Sequence, residues 1–179
     1  TDYIYNKPIV SEAYKSLLDD KPYGYTSSYL TFTSQVQKAR QHIYPKFAQT
    51  VKTEFNYGIT QIEGRQFLAD GLWYFPGLFN NHSIVFNTAW QSRDTARNIL
   101  FSNNFPFSRG YNVRSFFNMY KLAANYHMPL VYPDWGFASI VYFQRIRANF
   151  FFDFTHIQDF DQNKAKVTRE YRSYGTEIF

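Results

Sequence analysis

Arg147-Ala148-Asn149-Phe150-Phe151-Phe152-Asp153-Phe154-Thr155-His156 is the stretch whose reading decides the fold. Along an extended chain Ala148, Phe150, Phe152 and Phe154 fall on one face, and Arg147, Asn149, Phe151, Asp153 and Thr155 fall on the other. The run is as long as the ~9 to 11 residues that a tilted strand needs to cross a bilayer, and longer than the ~5 to 6 of an ordinary sandwich strand. An ionised carboxylate facing lipid would be prohibitively placed, so Asp153 is expected to point into a barrel and the phenylalanine row to point out.

The same alternation recurs to either side. It predicts strands over residues 27–37, 47–57, 66–75, 83–91, 119–130 and 171–179. In 83–91, Ile84, Phe86, Thr88 and Trp90 oppose Ser83, Val85, Asn87, Ala89 and Gln91. In 119–130, Tyr120, Leu122, Ala124, Tyr126 and Met128 oppose Met119, Lys121, Ala123, Asn125 and His127. In 171–179, Tyr174, Thr176 and Ile178 turn outward while Ser173, Gly175 and Glu177 turn inward. Tyr74-Phe75-Pro76-Gly77 ends one run, because proline cannot donate to a ladder and glycine permits the turn. The segment 137–146 reads as a short interfacial helix, and 158–169 as a polar loop. Residues 1–25 form a lead-in loop, within which 11–18 has the pattern of two helical turns capped by Ser11. Residues 26–179 form one domain.

Composition agrees with strands that cross a membrane. Among 179 residues 45% are hydrophobic and 22% aromatic, with 20 Phe and 16 Tyr, yet the mean hydropathy is only −0.45. No window approaches the ~18 apolar residues of a spanning helix, so crossing falls to strands. The aromatic outward faces argue against a soluble β-sandwich, whose core favours aliphatic side chains. The expected fold is all-β: about seven antiparallel strands forming part of a larger transmembrane β-barrel. The chain ends inside an alternating run, which reads as a piece of a longer protein.

Enzyme chemistry has no carrier here. There is no Gly-x-Ser-x-Gly, no phosphate-binding glycine loop and no cysteine. The four histidines lack metal-ligand spacing, and the calcium-like spacing of Asp159, Asp161, Asn163 and Glu170 has Lys164 where glycine is required. No cofactor is expected. The net charge of +5 is scattered rather than blocked, which argues against a nucleic-acid partner.

A polar stretch, 92–115, interrupts the strands and holds Ser108-Arg109-Gly110-Tyr111. A loop this long usually has a job. Together with Tyr74-Phe75-Pro76-Gly77, Asn125-Tyr126-His127-Met128-Pro129-Leu130, Tyr132-Pro133-Asp134-Trp135-Gly136 and Phe151-Phe152-Asp153, this motif resembles the C-terminal half of a barrel of the bacterial surface antigen superfamily. The resemblance to these BamA-like proteins is nearest to the Bacteroidota type, in which the barrel follows a TolB-like propeller.

The resemblance implies that the loop folds inward and that Arg109 contacts Asp153, the carboxylate of the family's Phe-x-Asp-x-Gly motif. Glu177, inward on the next strand, is a second acceptor. The residue types suit the contact: a guanidinium is a rigid fork for a carboxylate, and Gly110 lets the backbone turn. Two positions depart from the family's pattern. Ser108 stands where valine or proline is usual, and Thr155 stands where the motif's glycine would be.

The resemblance further implies a bacterial outer-membrane location and a role in outer-membrane protein assembly or translocation, with no bond made or broken. The alternative is a non-catalytic structural or accessory barrel of a larger envelope complex. Implied partners are outer-membrane lipid and either other envelope proteins or the rest of the same chain.

Overall fold

A computed structural model describes residues 2–4, 23–37, 44–59, 64–94, 101–112, 116–133, 135–137, 141–143, 145–160 and 165–179. These form ten strands: β1 (Asp2–Ile4), β2 (Tyr23–Gln35), β3 (Ala48–Gly58), β4 (Arg65–Pro76), β5 (Ser83–Arg93), β6 (Asn118–Val131), β7 (Trp135–Phe137), β8 (Val141–Phe143), β9 (Ile146–Phe160) and β10 (Lys166–Ile178). Eight lie in one antiparallel sheet in the order β1-β2-β3-β4-β5-β6-β9-β10, while β7 and β8 pair as a separate hairpin between β6 and β9. The order is linear, so β1 and β10 are edges and the sheet is not closed.

The seven long strands are the seven runs of alternation with shifted bounds: β4, β5, β6 and β9 are longer than expected, while β2, β3 and β10 begin or end one or two residues short of the expected run at one end and extend past it at the other. The β9–β10 ladder runs from Phe160↔Lys166 to Ala148↔Ile178, well past the aromatic row. Residues 158–160 and 166–169, expected as loop, are therefore strand. Backbone pairing does not need apolar side chains, and here the ladder outlasts the hydrophobic pattern. The lead-in also needs correction: Asp2–Ile4 pairs with Tyr23–Tyr25, so part of the expected loop belongs to the sheet. The helical turns expected over 11–18 lie outside the described residues.

The interfacial helix expected over 137–146 is not formed. Trp135 pairs with Phe143 and Phe137 with Val141 in the β7–β8 hairpin, and Ile146 already begins β9. Apolar positions suit either period, but β-branched and aromatic residues lose side-chain freedom in a helix and pack readily on a pleated surface.

The two faces of the main sheet differ in what covers them. Residues 101–112 cross one face. There Phe105 and Phe107 pack with Leu68, Ala89, Met119 and Ile157 into a small core, of which Met119 and Ile157 are almost wholly buried. The other face is bare: Trp90, Tyr120, Leu122, Phe150 and Phe152 are each more than 40% exposed. Register places the alternating sets as the sequence pattern demands, with Asn87, Asn125, Asp153 and Ser173 on the covered face and Phe86, Tyr126, Phe152 and Tyr174 on the bare one. No second sheet packs against either face among the described residues.

Because the core lies on one side only, truncations on the two faces should differ sharply. Met119→Ala and Phe105→Ala should destabilise the full chain by roughly 2 to 5 kcal/mol, as large-to-small changes in a packed core do. Leu122→Ala, on the bare face, should cost far less in urea unfolding followed by circular dichroism. Equal losses at Met119 and Leu122 would mean that the core is misplaced.

Candidate functional site: the arginine strap

Residues 101–112 act as a strap because their contacts together reach strands from β2 to β10. The Phe101 ring meets Tyr25 of β2 edge-on, with centroids 5.4 Å apart. Asn104 Nδ2 donates to Glu54 of β3 at 3.0 Å, and Gln66 of β4 donates to the Ser102 carbonyl at 3.1 Å. Arg93 of β5 reaches the Phe101 carbonyl at 3.4 Å, and Lys121 of β6 reaches that of Phe107 at 3.3 Å. Tyr111 closes the far end by donating its hydroxyl to the Arg172 carbonyl of β10 at 2.9 Å. Three carbonyls of a segment without regular structure are thus met by side chains of the sheet beneath it.

Arg109 sits where the strap crosses β6, β9 and β10. Its Nε and Nη2 donate to the two oxygens of Asp153 at 2.9 and 2.8 Å, a bidentate fork. Nη1 donates to Glu177 at 3.0 Å, and Nη2 also donates to the Asn125 side-chain carbonyl at 2.7 Å. The Arg109 backbone N–H adds a further bond to Asp153 at 3.0 Å. Asn149 holds the acceptors in place, donating to Asn125 at 3.1 Å and to Glu177 at 2.8 Å. Asp153 is completely buried, whereas the Arg109 side chain is one third exposed. Burial alone would favour loss of the Arg109 proton. The hydrogen bonds and charges of Asp153 and Glu177 outweigh it and raise the pKa above the ordinary arginine value.

Below the guanidinium lies an aromatic platform that alternation alone does not reveal. The Phe151 ring is 3.5 Å from Arg109 Cζ, and a cation–π contact at a partly exposed site contributes roughly 1 kcal/mol. Phe151 can lie flat because its cross-strand neighbour is Gly175, where an added Cβ would come within 2.9 Å of the ring. The sequence signals are a phenylalanine at an inward position between Asn149 and Asp153, and a glycine in mid-strand. Each reads as ordinary until register pairs them.

Gly110 has φ +82°, and a Cβ there would meet nothing within 4 Å. Backbone conformation, and not space, therefore requires glycine. The two positions that depart from the surface-antigen pattern touch each other. Ser108 Oγ and Thr155 Oγ1 lie 2.6 Å apart, and both residues are buried. A threonine where glycine was expected brings a buried hydroxyl, and a serine in place of valine or proline gives that hydroxyl its partner.

Removing Arg109 and removing Asp153 should have unequal effects. Arg109→Ala leaves a fully buried carboxylate unpaired, which costs about 3 to 5 kcal/mol. Asp153→Ala leaves the guanidinium with Glu177, Asn125, Phe151 and partial access to water, and should cost less. The double variant should lose less than the sum in urea unfolding, and simple additivity would rule out the coupling. Likewise Ser108→Ala alone should cost about 1 to 3 kcal/mol by stranding Thr155, and adding Thr155→Val should recover most of it.

No protein-family model, curated protein or solved structure matches this chain, so the geometry above and the sequence resemblance carry the functional reading.

Proposed function

We propose that the sheet is a section of the wall of a bacterial outer-membrane β-barrel of the surface antigen kind, acting in outer-membrane protein assembly or translocation. One observation carries the reading. Phe152 and Asp153 are adjacent in β9, yet the first is 46% exposed on the bare face and the second is wholly buried under the strap. Such opposition suits a wall with lipid on one side and a braced interior on the other. In water, a bare face bearing Leu30, Phe32, Phe150, Phe152, Tyr174 and Ile178 would be an aggregation liability far beyond the apolar patches of soluble monomers.

Strand length favours the same reading. The seven long strands have 11 to 15 residues, enough to cross the ~30 Å hydrocarbon layer at a tilt and still project into the headgroups. The remaining wall comes from the rest of the same chain or from other envelope proteins. In this reading the strap braces the wall from inside and does no chemistry. Arg109 fixes the loop to β9 and β10 while a client protein is handled elsewhere.

Tryptophan quenching tests the wall. In a variant whose sole tryptophan is Trp90 (Trp73→Phe, Trp135→Phe), emission should be quenched in vesicles of lipids brominated along the acyl chain. With Tyr111→Trp as sole tryptophan it should not be. Absence of quenching at Trp90 would end the membrane assignment. In the native host, Arg109→Ala should lower the amount of other folded outer-membrane barrels. If their levels stay unchanged while the protein itself remains in the membrane, the role is that of an accessory barrel.

A further inference from the structure

One end of the sheet is formed by the β2–β3, β4–β5 and β6–β9 connections. There a cavity of about 120 Å³ lies between the Tyr44–Lys46 segment and the Gly77–Ser83 turn. Its walls are fixed. Tyr44 packs against Tyr74 at 5.4 Å and against His127 at 4.8 Å, with the Arg147 guanidinium 5.9 Å from its ring. Opposite, Gly77 N–H donates to the His82 carbonyl at 3.0 Å and His82 N–H to the Phe79 carbonyl at 3.2 Å. Asn81 is left-handed at φ 68°, and a Cβ on Gly77 would lie 2.4 Å from that of His82. The His82 ring is held by Tyr126, whose hydroxyl is 2.7 Å from Nδ1. The turn therefore has little freedom, and its tip presents Leu78 at 82% and Phe79 at 69% exposure.

Charge identifies the occupant. Lys46 is exposed beside the cavity, and no described carboxylate pairs with it. The Arg147 guanidinium faces the rings of Tyr44 and Phe179, and no described carboxylate pairs with it. Glu177, the carboxylate of this end, is already taken by Arg109 and Asn149. By sequence the three connections carry Lys38, Arg40, Lys46 and Arg145 against Asp134 alone, whereas the connections of the opposite end set Glu12, Asp19, Asp20, Glu63, Asp94 and Asp161 against Lys7, Lys15, Lys21, Arg97, Arg109, Arg114 and Lys164. An end that is basic, aromatic and tipped with two apolar side chains on a constrained turn is complementary to an anionic phospholipid, headgroup to cation and acyl chain to tip. We infer that the cavity between Lys46 and the Gly77–Ser83 turn binds the phosphate of an anionic phospholipid, with Leu78 and Phe79 seated among the acyl chains beside it. The inference deepens the membrane reading and rests on it.

The full chain purified in non-ionic detergent should retain phosphatidylglycerol in preference to phosphatidylcholine of the same acyl chains, as read by native mass spectrometry. Lys46→Gln should reduce phosphatidylglycerol retention about fivefold, the worth of one cation near an anionic surface. Leu78→Ser with Phe79→Ser should weaken retention of both lipids while leaving the preference. All these side chains are exposed, so the variants fold. Equal retention of the two lipids, or no change with Lys46→Gln, overturns the inference even where Trp90 is quenched by brominated lipid. Displacement of the lipid by inorganic phosphate, with no effect of the Leu78 and Phe79 changes, assigns a free-phosphate site and also overturns it. Lipid preference without Trp90 quenching would uphold the cavity as a peripheral lipid site and sink the barrel reading instead.

Discussion

Asp153 is a carboxylate with no exposure in a sheet that offers it Lys121 as a cation and sets Glu177 nearby, and Arg109 answers it with a fork, a backbone N–H and a full charge. An isolated carboxylate taken out of water costs several kcal/mol, more than most single contacts of a domain return. The arrangement of the covered face follows from that requirement. The guanidinium must be brought to β9 by a loop, the loop must be long enough to arrive, and something must hold it once there. Phe105 and Phe107 supply the holding force by burial, and the carbonyls of Phe101, Ser102 and Phe107 are met by side chains of β4, β5 and β6. Charge sets the position and hydrophobic contact sets the persistence.

Four of the five N–H groups of Arg109 are used, and Phe151 covers its face. Lysine could not replace it, since an ammonium has neither the planar fork nor a face to lay on a ring. Nor is the site a surface ion pair of the kind worth about 0 to 1 kcal/mol, because one partner has no contact with water. Ser108 and Thr155 add a neutral hydrogen bond directly beside the charged ones, with Ser108 next to Arg109 in the strap and Thr155 two residues along β9 from Asp153. The strap is thus stitched to one strand at two successive inward positions, which fixes its direction as well as its place.

Period-two alternation made the seven long strands and their faces legible, because Asp153 among phenylalanines admits one orientation. The ends of strands were less so. Around Phe160 and Lys166 the ladder continues where the hydrophobic pattern stops, and nothing in the side chains announces backbone pairing. The β7–β8 hairpin was misread as helix since Phe137, Val141 and Tyr142 satisfy both periods over so short a run. Arg109 with Asp153 and Glu177 could be named beforehand through the motif and the inward positions. Asn125 and Asn149 were seen as inward residues but not as ligands of Arg109 and Glu177, and the pairing of Phe151 with Gly175 depends on a cross-strand register that no single segment encodes.

Register is the point at which these features become one constraint. A slip of a single residue between β6 and β9 would carry Asp153 to the bare face and bring Phe152 or Phe154 beneath the strap, exchanging every side chain of the strand. Arg109 would then lose its fork and Thr155 would leave Ser108, while a slip between β9 and β10 would part Gly175 from Phe151. The strap therefore does more than rest on a finished sheet. It penalises each wrong pairing of β6, β9 and β10 through charge, hydroxyl and ring at once. Among the described residues β10 is an edge strand of the sheet, paired on one side only. A loop that reads the covered face across all three strands adds there the specification that a second neighbouring strand adds elsewhere in the sheet.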